Sequence, residues 1–264
     1  MNHLIAGPDT MEMGWLVATW IPALRHIAPK FTRVTVICRP AHEYLYEFAT
    51  DFIPYNPKGV ADRWFFNGKK LRIHPSFNVP EPVVGKIVHL SPSKTICCKW
   101  KRDYVKYGEA SKENHYDLVI HARSETKFAH KSNHKNRNWP VKNYVKVLKH
   151  IKPKRVCSIG TEKGASHVPG TEDLRGIQVG RLCDILASSR VLLTPSSGPG
   201  HLASLCGCAH VILTYDKYEK AIGGTNRDRY YDFWNPFKAP CKVLQNHNWQ
   251  PPVKLVVKAV EKFL

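Results

Sequence analysis

The residues best suited to chemistry lie between Leu193 and Gly207, in the run Leu-Thr-Pro-Ser-Ser-Gly-Pro-Gly-His-Leu-Ala-Ser-Leu-Cys-Gly. An apolar strand, Val191-Leu192-Leu193, passes there through serines, glycines and a proline into a short apolar helix. Small residues let a backbone approach a ligand closely, and Ser196 or Ser197 can cap the helix that begins near Pro199. The amides at such a helix start, with the positive end of the helix dipole, form a site for an anion such as phosphate. His201, in the first helical turn, is expected to face the same pocket. Read alone, the segment is equally an ordinary strand–turn–helix connection.

Other chemically able residues follow other apolar runs. His121-Ala122-Arg123 ends one strand and leads into a basic loop, Lys131 to Pro140, that contains Arg137. Ile159-Gly160-Thr161-Glu162 ends the next, and Gly170 to Gly176 carries Asp173. In open α/β sheets, ligands bind beyond the carboxyl ends of the strands. A guanidinium, a small-residue turn with a carboxylate, and an anion-binding helix start would therefore converge on one edge. That set suits a nucleoside diphosphate, with cations on the phosphates and Glu162 or backbone on ribose and base. Taken singly, Arg123 also reads as a surface ion pair, and Asn138-Trp139-Pro140 as a helix start with a hydrophobic anchor.

The elements that position these groups can be read from apolar periodicity. Short buried strands are expected at 3–7, 33–38 and 86–90, with helices at about 13–28 and 41–50 and long loops from 54 to 85. The polar stretch 101–115 sets a boundary, giving domains 1–112 and 113–251 and a final helix in 252–264. After it come strand Tyr116–His121, amphipathic helix Val141–Ile151, strand Arg155–Ile159, helix Gly180–Ser188, strand Val191–Thr194, helix Leu202–Leu205 and strand His210–Thr214. This alternation predicts an α/β chain, with a parallel sheet and helices packed on it in the first half and a βα repeat of the doubly wound kind in the second.

Composition narrows the partners. Forty Lys plus Arg against 21 Asp plus Glu give +19, with fourteen histidines besides. Such an excess speaks of polyanions, nucleic acid first and anionic glycolipid second, against the alternative of a solvated basic surface. A hydrophobic content of 43% supports real cores. No apolar run reaches the length of a membrane span, and the first residues read as a buried strand rather than a signal peptide. Eight cysteines form no Cys-x-x-Cys pair, so reduced, mostly buried thiols in a cytoplasmic protein are expected.

The order Trp-Pro before a helix, Ile-Gly, then Ser-Ser-Gly-x-x-His-Leu-Ala resembles the ADP-heptose:lipopolysaccharide heptosyltransferase family. The likeness spans residues 117–215, more loosely Gly7 to Leu24 with Glu12-Met-Gly-Trp15. It implies a GT-B fold, two Rossmann-like domains facing each other across a cleft, and inverting, metal-independent sugar transfer with a nucleotide-sugar as co-substrate and no cofactor. That family usually opens the turn with Asp where Ser196 stands, so the donor is not inherited; Ser197, Gly198 and His201 match. Arg137–Pro140, Asp173–Gly176, Ser196–Pro199 and Gly14-Trp15 resemble phage-encoded relatives suspected of decorating hydroxymethylated pyrimidines in DNA, which would place the chain in the host cytoplasm.

An inverting transfer needs a base for the acceptor proton and positive groups for the leaving diphosphate. No Asp-x-Asp motif suggests a metal, so Arg123, Arg137 and the turn amides are expected on the diphosphate, with Gly160, Thr161, Glu162, Asp173, Ser196, Ser197, Gly198 and His201 completing the donor site. The resemblance places the base after the first strand, where Glu12 is favoured and Asp9 is second; the competing role for Glu12 is helix capping. Acceptor DNA is expected at Trp15 and at Trp64, Lys69, Lys70 and Arg72, where aromatics mix with cations; those aromatics could equally close a small core. A glycolipid or lipopolysaccharide sugar transferase, or a non-catalytic nucleic-acid-binding protein of the same fold, are the alternatives.

Overall fold

The computed structural model describes residues 2–9, 11–55, 86–124, 137–218 and 224–264. Trp64, Lys69, Lys70 and Arg72 lie outside the described residues, as does most of the basic loop. The chain divides into two compact units, Met1–Val105 and Lys106–Leu264.

In the first unit β1 (His3–Ala6) leads into α1 (Met13–Trp15), which widens through a π-helical stretch, Leu16–Trp20, into α2 (Ile21–Ile27). All five residues of the π stretch are buried, and Thr19 Oγ1 donates to the Trp15 carbonyl at 2.6 Å. β2 (Arg33–Cys38), β3 (Asp51–Pro54) and β4 (Ile87–Leu90) complete a parallel sheet of order β3-β2-β1-β4 before α3 (Lys94–Lys99). The connections after β1 and β2 bring successive strands to one side, and β4 then returns to the other side of β1. That reversal makes the carboxyl end of β1 a switch point, where such sheets bind ligands. Gly7 follows β1 at φ +133°, and a Cβ there would meet the Ile37 carbonyl oxygen at 2.4 Å, so only glycine fits.

The helix expected at 41–50 is instead a 3₁₀ segment, Pro40–Leu45. The chain must pair Thr35 with Asp51 to start β3, which leaves no room for further turns.

The second unit runs β5 (Leu118–Ile120), β6 (Ala122–Arg123), α4 (Val141–Ile151), β7 (Val156–Ser158), β8 (Ala165–Ser166), β9 (Glu172–Asp173), α5 (Val179–Ser188), β10 (Val191–Pro195), α6 (Gly198–Cys206), β11 (Ala209–Leu213), α7 (Asn226–Tyr231), β12 (Cys241–Leu244) and α8 (Val253–Glu261). Its main sheet is parallel, ordered β12-β11-β10-β5-β7-β9. The strands are near-continuous Val, Ile and Leu because helices cover both faces. Tyr144 and Val147 of α4 meet Val256, Val257 and Val260 of α8 over Leu118, Ile120, Leu193 and Val211; each fully buried side chain of this size contributes roughly 1.5–3 kcal/mol.

Residues 107–111, given to the first half by the polar-stretch boundary at 112, are tied to the second unit. Tyr107 N–H donates to the Leu205 carbonyl, Glu109 N–H to Asp184 Oδ1 and Ser111 N–H to Ser188 Oγ. A polar run with no apolar stripe is held by backbone bonds that composition does not display. The helix in 252–264, set apart on sequence, packs against α4 within the same unit. No described helix is long and apolar enough to cross a membrane. The described cysteines are free thiols, all but Cys241 buried.

Candidate functional site

The carboxyl ends of β5, β7 and β10 gather most of the expected donor residues on one edge of the second unit. β10 ends in Pro195, and Ser196 turns the chain into α6, its N–H donating to the Leu213 carbonyl of β11. Ser197 takes the N-cap position, but neither serine caps the helix. Ser197 Oγ lies 3.0 Å from His121 Nδ1 and 2.9 Å from Thr194 Oγ1, while Ser196 Oγ meets the Tyr230 hydroxyl at 3.1 Å. The capping expected of Ser196 or Ser197 is thus replaced by bonds to side chains of other elements. Among the described residues the N-cap side chain makes no capping bond to α6, which leaves the helix dipole to act on an anion.

His121 holds this corner. It also meets Thr194 Oγ1 at 3.1 Å, and Gly160 lies close beside its ring. A Cβ at Gly160, whose φ is +120°, would lie 2.7 Å from His121 Cδ2 and 2.7 Å from Ala165 Cβ. Burial foremost, then the Arg123 and Arg137 guanidiniums, pushes the His121 ring down to about 3. A neutral ring at physiological pH holds the Ser197 hydroxyl without adding charge.

Arg137 lies over the turn itself. Its Nε donates to the Ser196 carbonyl at 3.1 Å and its Nη2 to the same oxygen. The guanidinium sits 5.2 Å above the Trp249 ring, which stacks in turn on Tyr215 at 5.0 Å. One face and two N–H groups of the cation are thereby fixed, and the half-buried head stays at the helix start. Arg123 is 9% exposed and donates through Nη1 to Asn138 Oδ1 at 2.5 Å.

His201 is placed differently from the expectation. It lies in the first turn of α6, yet its ring is enclosed, stacked on Tyr230 at 5.2 Å and edge-on to Trp234 at 4.6 Å. Burial foremost, then Arg137, pushes it down to about 3, and its Nδ1 is buried with no hydrogen-bond partner among the described residues. The turn before α6 is short, and an apolar helix face with Gly200 pressed on Ile212 and Tyr230 rotates the ring inward.

Asp173 is also committed elsewhere. Arg175 grips both its oxygens, at 2.8 and 2.7 Å, and reaches the Ala165 carbonyl at 3.0 Å. This fork holds the Asp173 carboxyl down to about 2. Asp-Leu-Arg-Gly is therefore a clasp joining β9 to β8, with Leu174 turned inward. Thr161 and Glu162 are exposed beyond β7; the Thr161 hydroxyl accepts from Gly164 N–H at 3.0 Å, and Glu162 lies beside Gly176.

In the first unit, the loop after β1 separates its two carboxylates. Asp9 is fully buried; His42 Nδ1 lies 2.7 Å from its Oδ2, and Arg39 donates backbone N–H to Oδ1 at 3.2 Å and Nη1 to its carbonyl at 2.8 Å. Glu12 is exposed, stands at the N-cap of α1 and makes no capping bond. Trp15 is half-buried one turn on. Among the described residues no group of three or more His, Cys, Asp or Glu could hold a metal.

Sequence reasoning missed Trp249, Tyr230, Arg175 and His42. Trp249 and Asn248 both have positive φ, and the Asn246-His-Asn-Trp-Gln-Pro-Pro run could have flagged a tight turn. Arg175 lies in the Asp173–Gly176 run already singled out, whereas nothing local marks Tyr230 and His42.

No protein-family model and no curated sequence matches the chain. Solved structures do. The glycosyl transferase family 9 protein from Veillonella parvula is 14% identical, with 99% of this chain and 96% of that one covered at a TM-score of 0.57. E. coli heptosyltransferase WaaC with ADP is 10% identical, covered in full on both sides at 0.58. E. coli ADP-heptose lps heptosyltransferase II is 11% identical, with 100% and 98% covered at 0.58. Two parallel α/β units matched over the whole length of heptosyltransferases give this chain the GT-B fold.

Proposed function

We propose that the chain moves a sugar from a nucleotide-sugar to a hydroxyl, with inversion and without a metal, and that the acceptor is a hydroxymethylated pyrimidine in DNA. The observation that carries the reading is Arg137, clamped between the Ser196 carbonyl and Trp249 at the open amino end of α6. A cation held there in advance stabilises charge developing on a leaving diphosphate without reorganising. Arg123 adds to it, and Gly160 and Glu162 line the approach to ribose and base. Glu12, the exposed carboxylate after β1, takes the acceptor proton as the acceptor oxygen bonds to the sugar. The sugar–phosphate bond breaks with its electron pair on the nucleoside diphosphate. Thr161, Ser197 and Gly198 shape the donor edge, whereas Asp173 and His201 support it from behind.

The formal charge of +19 supports a polyanionic acceptor. The likeness to heptosyltransferases supports a second reading, transfer to a lipid-linked sugar. Incubation with hydroxymethylcytosine DNA and a panel of nucleotide sugars, followed by digestion to nucleosides, should show a hexose or pentose mass increase that Glu12→Gln abolishes without weakening donor binding. Transfer to a lipid-linked sugar with none to DNA selects the second reading. Donor binding without transfer to either leaves a non-catalytic protein.

A further inference from the structure

We infer that the outward faces of α4 and α8 form a docking surface for the phosphate backbone of duplex DNA. The inference deepens the DNA-acceptor reading and rests on it for its biological setting. Residues 141–155 contain six Lys or Arg and no Asp or Glu, and 252–264 contain three Lys and one Glu. Lys142, Lys146 and Lys149 recur at helical spacing on α4, as do Lys254, Lys258 and Lys262 along α8 and its cap, and all six are exposed. Among the described residues none of them has a carboxylate partner.

The two helices lie side by side and start together. Trp139 Nε1 donates to the Pro251 carbonyl at 3.2 Å, and Gln250 Nε2 to the Asn138 carbonyl at 3.3 Å. Their apolar faces are spent on the core of the unit, so both lysine rows point away from it. The rows begin next to Arg137 and Asn138, at the donor edge. At 1.5 Å per residue, the α4 row spans about 10 Å, against one duplex charge per about 1.7 Å of axis.

At its amino ends this face is not arranged for its own stability. A solvated helix face ordinarily alternates acids and bases at i, i+4, where like charges repel. Lys142 and Lys254 sit in first turns that carry no acid, at the positive end of each dipole, where cations are unfavourable. A bound polyanion relieves both repulsions. A membrane surface fits less well: interfacial helices bury an apolar face in lipid, and of these outward faces only Leu255 is an exposed large hydrophobic.

The test is fluorescence anisotropy of a labelled, unmodified duplex across a salt series, with wild type, the triple variant Lys142→Gln/Lys146→Gln/Lys149→Gln and the matching triple at Lys254, Lys258 and Lys262. Each lost phosphate contact lowers the slope of log K against log salt by about 0.9, so either variant should lose about 2.7 from it. Nucleoside diphosphate binding in both variants should match wild type, which shows that they are folded. An unchanged slope in folded variants overturns the surface. So does loss of binding to phosphatidylserine vesicles with DNA binding intact, which reassigns the face to membrane. If DNA binding falls as expected but wild type glycosylates no DNA, the surface stands and the acceptor reading fails. If wild type glycosylates DNA with these lysines irrelevant to binding, the reverse holds.

Discussion

The two units end their parallel sheets in opposite electrostatic arrangements. In the second unit the strand ends collect guanidiniums around a neutral histidine and an open helix start, with Arg137 anchored on a backbone carbonyl and an indole face. In the first unit the switch point beside β1 is built around a buried carboxylate, Asp9, with His42 and Arg39 turned onto it. Parallel α/β architecture therefore carries a guanidinium-lined edge in one half and a sealed carboxylate in the other. The strand order decides where chemistry can sit. The charge of that chemistry is decided by a few side chains arriving from neighbouring connections.

The contrast breaks most severely at Asp9. Asp9→Ala leaves the Arg39 and His42 groups facing an apolar gap and should destabilise the first unit by about 3 kcal/mol, the low end for breaking a buried pair because Arg39 keeps some access to water. Denaturant unfolding followed by a probe in each unit measures it. An equal loss in the second unit would mean that the two centres are not separate.

Arg137→Ala should act in the other unit and on binding rather than folding. Losing charge-assisted contacts of roughly 1.5–3 kcal/mol weakens nucleoside diphosphate affinity about 10- to 100-fold by calorimetry, with little change in melting temperature. Unaltered affinity would remove the cation from the donor edge.

Acid sharpens the comparison gradually rather than in one step. Burial holds His121 and His201 at about 3 and His210 at about 4, below their ordinary 6.5. Below 6.5 the unfolded chain binds protons that the folded unit excludes. Their stabilising contribution is therefore complete above 6.5 and is lost as pH falls from 6.5 towards 3, by up to about 1.4 kcal/mol per pH unit for each histidine. His201→Phe should flatten the decline of melting temperature between pH 6.5 and 4.5; an unchanged slope would show that the ring is already accessible to protons.

Much of this was legible along the chain. The apolar strands at 3–7, 33–38, 116–121 and 191–194, and the amphipathic helix at 141–151, follow from periodicity alone, because a parallel sheet covered on both faces demands runs of Val, Ile and Leu. The turn from Thr194 to His201 was equally visible, since glycine, proline and serine act through their own backbone preferences. Short elements were not: β9, α7 and β12 carry too few residues for a period to register, and the 3₁₀ segment at Pro40–Leu45 has the composition of a helix.

The amino acids by themselves determined the βα order, the small-residue turn and the acid-poor lysine rows, all of which depend on neighbours within one or two turns. Only the tertiary structure decided which groups are charged, enclosed or satisfied. Ser197 bonds to His121, Arg137 rests on Trp249, Arg175 clasps Asp173 and Asp9 is sealed beneath His42. Except for the Asp173 clasp, each pair joins residues far apart in sequence. A side chain's ionisation and reach depend on the water it has lost and on the partner that replaced that water. Both are set when distant strands bring their ends together.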